Sequence, residues 1–343
     1  MEKFKFETLD DIISLIVKYK ASRKRKRKRI ENVQEQVEEP IQEPPMEFNS
    51  DIERLIPSLY PLRKLNALIG METIKRNIID QVLFYTQELN SNEMMHTCLT
   101  GPPGVGKTTL GKILSELYCS LGFLETDNFK VVTKTDLVAG YVGQTAIKTT
   151  KVLKSALGGV LFLDEAYAIG AGTSSNDSDS FGKECIDTIN QFLSENTSNF
   201  IMIIAGYREE LDHSFFGLNK GLSRRFPWNY DIEKYSNQDL KRIFIHQVHA
   251  NEWNFDESVK FNNYQLVNEL FLNADKETFT QNAGDTLLLF DKVKICHSRR
   301  VFGLRKKYKK VIDISDIKLG MELVKSFKTS KKNLSQVPYG MYI

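Results

Sequence analysis

Apolar and polar positions change their rhythm three times along this chain. Leu9, Ile12, Ile13 and Ile16 recur at helical spacing, and Thr8 with Asp11 has the form of a capping box, so residues 8–20 are expected to be helical. Arg23 to Arg29 is an unbroken run of seven basic residues. An acidic stretch follows, with Glu31, Glu35, Glu38, Glu39, Glu43 and Glu47 set among Pro40, Pro44 and Pro45. Such a stretch buries little and reads as a linker. From about Leu55, short apolar runs alternate with amphipathic segments, the pattern of an α/β domain. The expected strands are 95–100, 129–133, 160–163, 200–205 and 228–232, apolar enough for a parallel sheet covered on both faces. After the first of them Leu110, Ile113, Leu114 and Leu117 mark one face of a helix. From about Tyr235 strands stop. Ser236 and Asp239 open a helix containing Leu240, Ile243 and Phe244, and helical patterns recur near 264–273, 284–298 and 315–326. The expected organisation is an N-terminal helix and basic run (1–30), a linker (31–54), an α/β domain (55–234), an all-helical domain (235–328) and a tail (329–343).

Composition narrows the class. The chain has 343 residues, 41% of them hydrophobic, which suits about two domains with buried cores. Lys and Arg number 47 against 44 Asp and Glu, so a net charge of +3 gives no global reason to bind a polyanion. The four cysteines, Cys98, Cys119, Cys185 and Cys296, have neither zinc-ligand nor disulfide-framework spacing and read as core thiols of a reducing compartment. No apolar run approaches bilayer length and no signal peptide is evident. The expectation is a soluble intracellular protein, cytoplasmic or nuclear, with no membrane partner.

The strongest chemical signal is Gly101-Pro102-Pro103-Gly104-Val105-Gly106-Lys107-Thr108, a G-x-x-x-x-G-K-[ST] phosphate loop between an expected strand and an expected helix. Glycines let backbone N–H groups turn toward phosphate oxygens, and the helix N-terminus adds partial positive charge. Lys107 would reach the β- and γ-phosphates and Thr108 would hold Mg²⁺. Pro103, Gly104, Val105, Gly106, Lys107, Thr108 and Thr109 form the expected nucleotide-binding set. The apolar run Val160–Leu163 ends in Asp164 and Glu165. In one reading Asp164 orients the metal and Glu165 polarises the attacking water; in the other the pair is an ordinary acidic helix start. The upstream loop favours the first. A water-activating Glu separates a hydrolase from a phosphate-transferring kinase, and no guanine-reading Asn-Lys-x-Asp is present.

At these residues the chain resembles the AAA+ ATPases, and within them the CbbX/CfxQ group that includes red-type rubisco activases. The resemblance runs from about Leu65 to about Leu323. Its most specific parts are Asp136-Leu137-Val138-Ala139-Gly140-Tyr141-Val142-Gly143-Gln144-Thr145-Ala146, Gly158–Tyr167, Phe181–Thr188 and Ala205-Gly206-Tyr207. It implies a parallel sheet in the order 5-1-4-3-2, a C-terminal helical lid, and a homo-oligomeric ring, commonly a hexamer, with ATP between subunits. It implies that Tyr141, Val142 and Gly143 face a central pore and grip a polypeptide; an aromatic beside glycine suits sequence-blind grip, whereas the alternative is a buried loop anchor. Asn219–Phe226 is similar to the segment bearing an arginine finger, with Arg225 the best match and Arg224 the runner-up. The alternative is a pair of solvated arginines. Leu68, Ile69 and Gly70 resemble the adenine-flanking segment. Two departures stand out. Gly284 occupies the sensor-2 arginine position, and the sensor-1 position falls near Tyr207 with no clear Asn.

The functional expectation is an ATP- and Mg²⁺-dependent ring ATPase that remodels a protein client. A nucleic-acid motor or loader, motivated by Arg23–Arg29 and by the cluster from Arg299 to Lys310, is the less favoured reading, since neither run carries an interleaved aromatic pattern for RNA. The usual alternative for such runs is a solvated surface. A third reading is a nucleotide-gated scaffold with little turnover, motivated by Gly284.

Overall fold

The computed structural model describes residues 6–33, 49–87, 89, 94–141, 143–170, 180–275 and 277–335. Most of the acidic stretch (Glu35, Glu38, Glu39, Glu43 and Glu47 with its prolines), Val142 and the end of the tail lie outside the described residues. The chain forms two compact units: Met1–Gly101 with Lys107–Ile232, and Pro102–Gly106 with Glu233–Ile343.

In the first unit, helices α1 (Leu9–Val33), α2 (Asn49–Leu55), α3 (Leu59–Ala67) and α4 (Glu72–Thr86) precede the sheet. Leu9, Ile12 and Ile16 of α1 are buried. Asn66 of α3 donates to Asp10 (2.8 Å), and Tyr19 and Arg23 reach Glu53 of α2 at 3.1 and 3.0 Å. The Asp11 carboxylate accepts from the Thr8 N–H at 2.8 Å, which holds it below the usual carboxylate range. The helix expected to end near Lys20 continues through the basic run to Val33. Arg and Lys are good helix formers and nothing in the run breaks the backbone ladder.

Strands β1 (Thr97–Thr100), β2 (Phe129–Val132), β3 (Val160–Leu163), β4 (Ile201–Gly206) and β5 (Trp228–Asp231) form one sheet in the order β2-β3-β4-β1-β5, the expected order read from the other edge. Every pairing is parallel. β1, β3 and β4 are buried along their whole length, as strands covered on both faces must be. Between them run α5 (Lys107–Ser120), α6 (Lys134–Leu137), α7 (Thr145–Lys154), α8 (Ser180–Glu195) and the short turn α9 (Arg208–Glu210). Leu110, Ile113, Leu114 and Leu117 of α5 are all buried. A capping box at Thr133 and Asp136, not singled out by the sequence pattern, starts α6.

The second unit holds α10 (Asn237–Ala250), α11 (Glu257–Leu272), α12 (Ala283–Arg300) and α13 (Ile314–Ser335). Ser236 caps α10 by accepting from the Asp239 N–H at 3.1 Å. The unit expected to be all-helical also carries a short parallel pair, β6 (Asn254–Phe255) with β7 (Val311–Ile312). Two-residue strands leave too short a period to register in sequence. Phe244, Phe255, Phe271 and Phe290 fill its core.

One buried charge cluster ties α12 to α13. Asp316, 1% exposed, accepts from Arg300 Nε and Nη2 (3.0 and 2.8 Å) and from the Asp313 N–H (3.0 Å), with His297 Nδ1 at 3.0 Å. Burial pushes its carboxyl up, but Arg300, the Asp313 N–H and His297 outweigh that and hold it below its ordinary value. A depressed carboxyl contributes stability above its unfolded pKa, near about 4, and loses it as pH falls through the folded value. Trp253, whose ring lies 5.1 Å from His297, reports on this cluster. In a Trp228→Phe background, the urea midpoint read from Trp253 should be level from pH 7 to 5 and fall below about pH 4. Asp316→Ala should cost about 3 kcal/mol at pH 7 and flatten that acid limb.

Candidate functional site

The carboxyl ends of β1, β3 and β4 deliver the first unit's chemistry to one edge of the sheet, where ligands of open parallel sheets bind. β1 runs into Gly101, β3 into Asp164 and β4 into Tyr207. Gly101 has φ +147°, and a Cβ there would lie 2.5 Å from the Ile232 carbonyl oxygen, so only glycine fits this turn. Lys107, first residue of α5, donates to the Gly101 carbonyl at 2.8 Å, and its Nζ lies 5.4 Å from the Tyr207 ring centroid. Burial lowers the Lys107 pKa, while Asp164 and Glu165 pull it back up. Thr108 and Thr109 follow, both exposed.

Asp164 is half-buried and held in line with the sheet by its N–H, which donates to the Val132 carbonyl at 2.9 Å. Glu165 is exposed and sits in the left-handed region, φ +50° and ψ +45°. A non-glycine residue is held there only when its surroundings impose it, and such positions cluster at functional sites. The Tyr167 ring lies tilted against Tyr207, 5.6 Å between centroids, and burial, aided by Glu165 and Glu210, pushes its hydroxyl up to about 12, so it stays a proton donor. Tyr207 is the residue nearest the expected sensor-1 position; Tyr167 closes the stretch of resemblance without an expected role.

Arg225 lies in a one-turn helix, Ser223–Arg225, and its Nε donates to Asn190 Oδ1 of α8 at 2.6 Å. Arg224 beside it is exposed. Asn190 had no signal in the sequence, since it stands 35 positions away and touches Arg225 only through the fold. His96, buried beneath, is lowered to about 4 first by burial and then by the Arg225 charge, so it is neutral. Ile69 and Gly70 are half-buried in a turn where Gly70 and Met71 both have positive φ, and Lys75 Nζ donates to the Leu68 carbonyl at 2.7 Å.

Tyr141 is 74% exposed, which excludes the buried-anchor reading. The loop bearing it is pinned on both sides. Lys148 Nζ donates to the Thr135 and Val138 carbonyls (2.6 and 2.9 Å), and the Ala139 N–H donates to Thr145 Oγ1 (3.2 Å). Gly143, with φ +77°, lets the chain turn back at the tip.

The tip of the phosphate loop counts with the second unit. There Asn282 Nδ2 donates to the Pro103 carbonyl (3.0 Å), the Ala283 N–H to the Gly104 carbonyl (3.1 Å) and the Tyr235 hydroxyl to the Val105 carbonyl (2.8 Å). Asn282 also accepts from the Tyr235 N–H at 3.2 Å. Tyr235 and the role of Asn282 were not anticipated. Gly104 has φ +72°, and a Cβ there would lie 2.1 Å from the Gln281 carbonyl oxygen. Gly284 is exposed in the first turn of α12, with room for a side chain.

These residues fit a magnesium nucleotide. Glycines at positive φ shape the loop, a lysine sits among acids, and a hydroxyl and a half-buried carboxylate offer hard oxygen ligands. Thr108 and Asp164 would hold the metal.

Residues 97–226 match the ATPase family associated with various cellular activities (AAA). The chain is 40% identical over 276 residues to a putative CfxQ-like protein of Acanthamoeba polyphaga mimivirus, covering 79% of this chain and 66% of that protein. It is 35% identical to stage V sporulation protein K of Bacillus subtilis over 58% of this chain and 63% of that protein. It is 28% identical to the CfxQ homologue of Pyropia yezoensis over 76% of this chain and 82% of that protein. The matched part thus spans just under two thirds of the length of the first two relatives. A RuvB mutant of Thermotoga maritima has the same fold, with a TM-score of 0.50 at 19% identity over 76% of this chain and 71% of that one.

Gly104→Ala should weaken binding of a fluorescent ATP analogue at least about tenfold, because the added methyl forces the loop tip off Gln281. Gly284→Ala, with space around it, should leave that affinity unchanged. Fluorescence titration of the two proteins separates these outcomes.

Proposed function

Since this chain belongs to the AAA ATPase family and has CfxQ-like relatives, we propose that it hydrolyses ATP as a ring of identical subunits, a hexamer, and uses the turnover to remodel a protein client. The observation that carries the reading is Tyr141, an aromatic side chain held out to solvent at the tip of a loop fixed at both ends. Relatives named for CfxQ and for stage V sporulation support the family reading without naming a client. Among the described residues no helix is long and apolar enough to cross a membrane.

The chemistry follows from the placement of groups at the strand ends. Thr108 and Asp164 would hold Mg²⁺, which when bound would neutralise charge on the phosphate oxygens. The N–H groups of the Gly104–Lys107 turn face phosphate, and Lys107 exchanges the Gly101 carbonyl for the terminal phosphates. Ile69 and Gly70 lie against the adenine. Glu165 takes the proton of the attacking water as its oxygen bonds to the γ-phosphorus and the bond to the β-bridging oxygen breaks, leaving ADP and phosphate. Arg225 of a neighbouring subunit neutralises charge developing on the γ-phosphate, and Asn190 fixes its guanidinium for that reach. Asn282 and Tyr235, bonded to the loop tip, take over the nucleotide sensing that an arginine at position 284 would perform. Tyr141, Val142 and Gly143 transmit the cycle to a polypeptide by ring contact that ignores sequence.

Glu165→Gln should bind ATP with unchanged affinity and turn over at least about 10²-fold more slowly. The same variant, incubated with ATP, should co-purify with the client, whereas a protein whose wild-type hydrolysis is already negligible would be the nucleotide-gated scaffold. Arg225→Ala should lower kcat about 10³-fold. Asn190→Ala should lower it by about tenfold to a hundredfold with nucleotide affinity intact. Wild-type specific activity should rise with protein concentration; activity that stays constant down to a monomer measured by light scattering would sink the finger in trans.

A further inference from the structure

Residues 292–312 hold nine Lys and Arg and no Asp or Glu, a formal +9 in a chain whose total is +3. Helix α12 ends inside this segment at Arg300, and buried Val301 anchors the loop that follows. Every residue from Phe302 to Lys310 is exposed. Phe302 is 90% exposed and Tyr308 is 44% exposed. The loop nevertheless has a defined path. The Leu304 N–H donates to Val301, Tyr308 to Arg305 and Lys309 to Lys306, and Gly303 turns at φ +80°. The sequence pattern gave no aromatic interleaving for this run; in the folded loop two rings flank its cations.

The loop's charges are largely uncommitted. Arg300 is spent on Asp316, and Lys310 reaches Glu252 only at 3.4 Å between exposed groups. Arg299, Arg305, Lys306, Lys307 and Lys309 have no carboxylate within ion-pair distance among the described residues, and Lys307 lies over the Tyr308 ring at 4.9 Å. A lone exposed ring is ordinary, but two exposed rings on one loop whose cations lack carboxylate partners offer a contact surface. Rings that stack on bases, alternating with cations that track phosphates, are the elements of single-strand recognition. A lipid surface would need more apolar area than Phe302 and Leu304 offer.

We propose that the loop Arg299–Lys310 binds single-stranded nucleic acid, with Phe302 and Tyr308 stacking on bases and Arg299, Arg305, Lys306, Lys307 and Lys309 on phosphates. The contact is independent of the peptide-gripping role given to Tyr141.

The test uses the full chain with ADP and a fluorescein-labelled oligothymidylate, read by anisotropy. Five phosphate contacts give a slope of log K against log salt of about −3.5. Phe302→Ala should weaken binding about tenfold. The double variant Lys306→Glu with Lys307→Glu should abolish it at physiological salt, with basal ATPase and circular dichroism unchanged. A chain with Arg23–Arg29 changed to glutamine should keep the affinity. Affinity that survives both loop changes, or that vanishes with the Arg23–Arg29 change, overturns the proposal. So does sedimentation with phosphatidylserine vesicles that depends on Phe302 while oligonucleotide binding does not.

Discussion

Burial of the three central strands on both faces is the constraint from which the first unit follows. A parallel strand with no solvent face cannot carry a polar side chain along its length without an internal partner. Polar chemistry is therefore expelled to the strand ends, and parallel pairing brings all the carboxyl ends to one side. Gly101 and Tyr207 emerge side by side because β1 and β4 stop in register, with Thr100 beside Gly206, and Asp164 emerges a little earlier on the same side, after Leu163 beside Ile204. The glycine at 101 and the left-handed backbone at Glu165 are local costs of leaving a packed sheet abruptly.

The legible parts of the fold were those with a period. Val160–Leu163 and the face Leu110-Ile113-Leu114-Leu117 announce themselves because burial on a strand or helix repeats every few residues. The phosphate loop was legible because its glycines and lysine are consecutive. What was not legible depends on pairs distant in sequence. Asn190 reaches Arg225, Tyr235 reaches Val105 and Asn282 reaches Pro103 only after folding. The end of α1 was misjudged for a different reason: a basic run has no apolar rhythm, yet its residues favour helix. A solvated loop was legible in the cluster from Arg299 to Lys310, but not that Phe302 within it would be left 90% exposed.

At the loop tip the contacts come from the residues that flank a glycine. Gly284 offers no guanidinium, but its neighbours Asn282 and Ala283 hold the Pro103 and Gly104 carbonyls directly. A long arginine would meet phosphate by its charge, whereas these bonds hold the loop's own carbonyls. The Asp285 carboxylate, bonded to the Gln281 N–H and to Lys328, steadies the helix start from which they reach.

Helix α1 has a mechanical meaning as well as an electrostatic one. Among the described side chains its last fully buried one is Ile16, Arg23 still pairs with Glu53, and the helix runs on to Val33. At 1.5 Å per residue that is a stiff arm of about 15 Å beyond Arg23. In a homo-oligomer every subunit would carry the same basic arm. Small rotations of the first unit would be multiplied at the arm's end, as at the rim of a wheel relative to its hub.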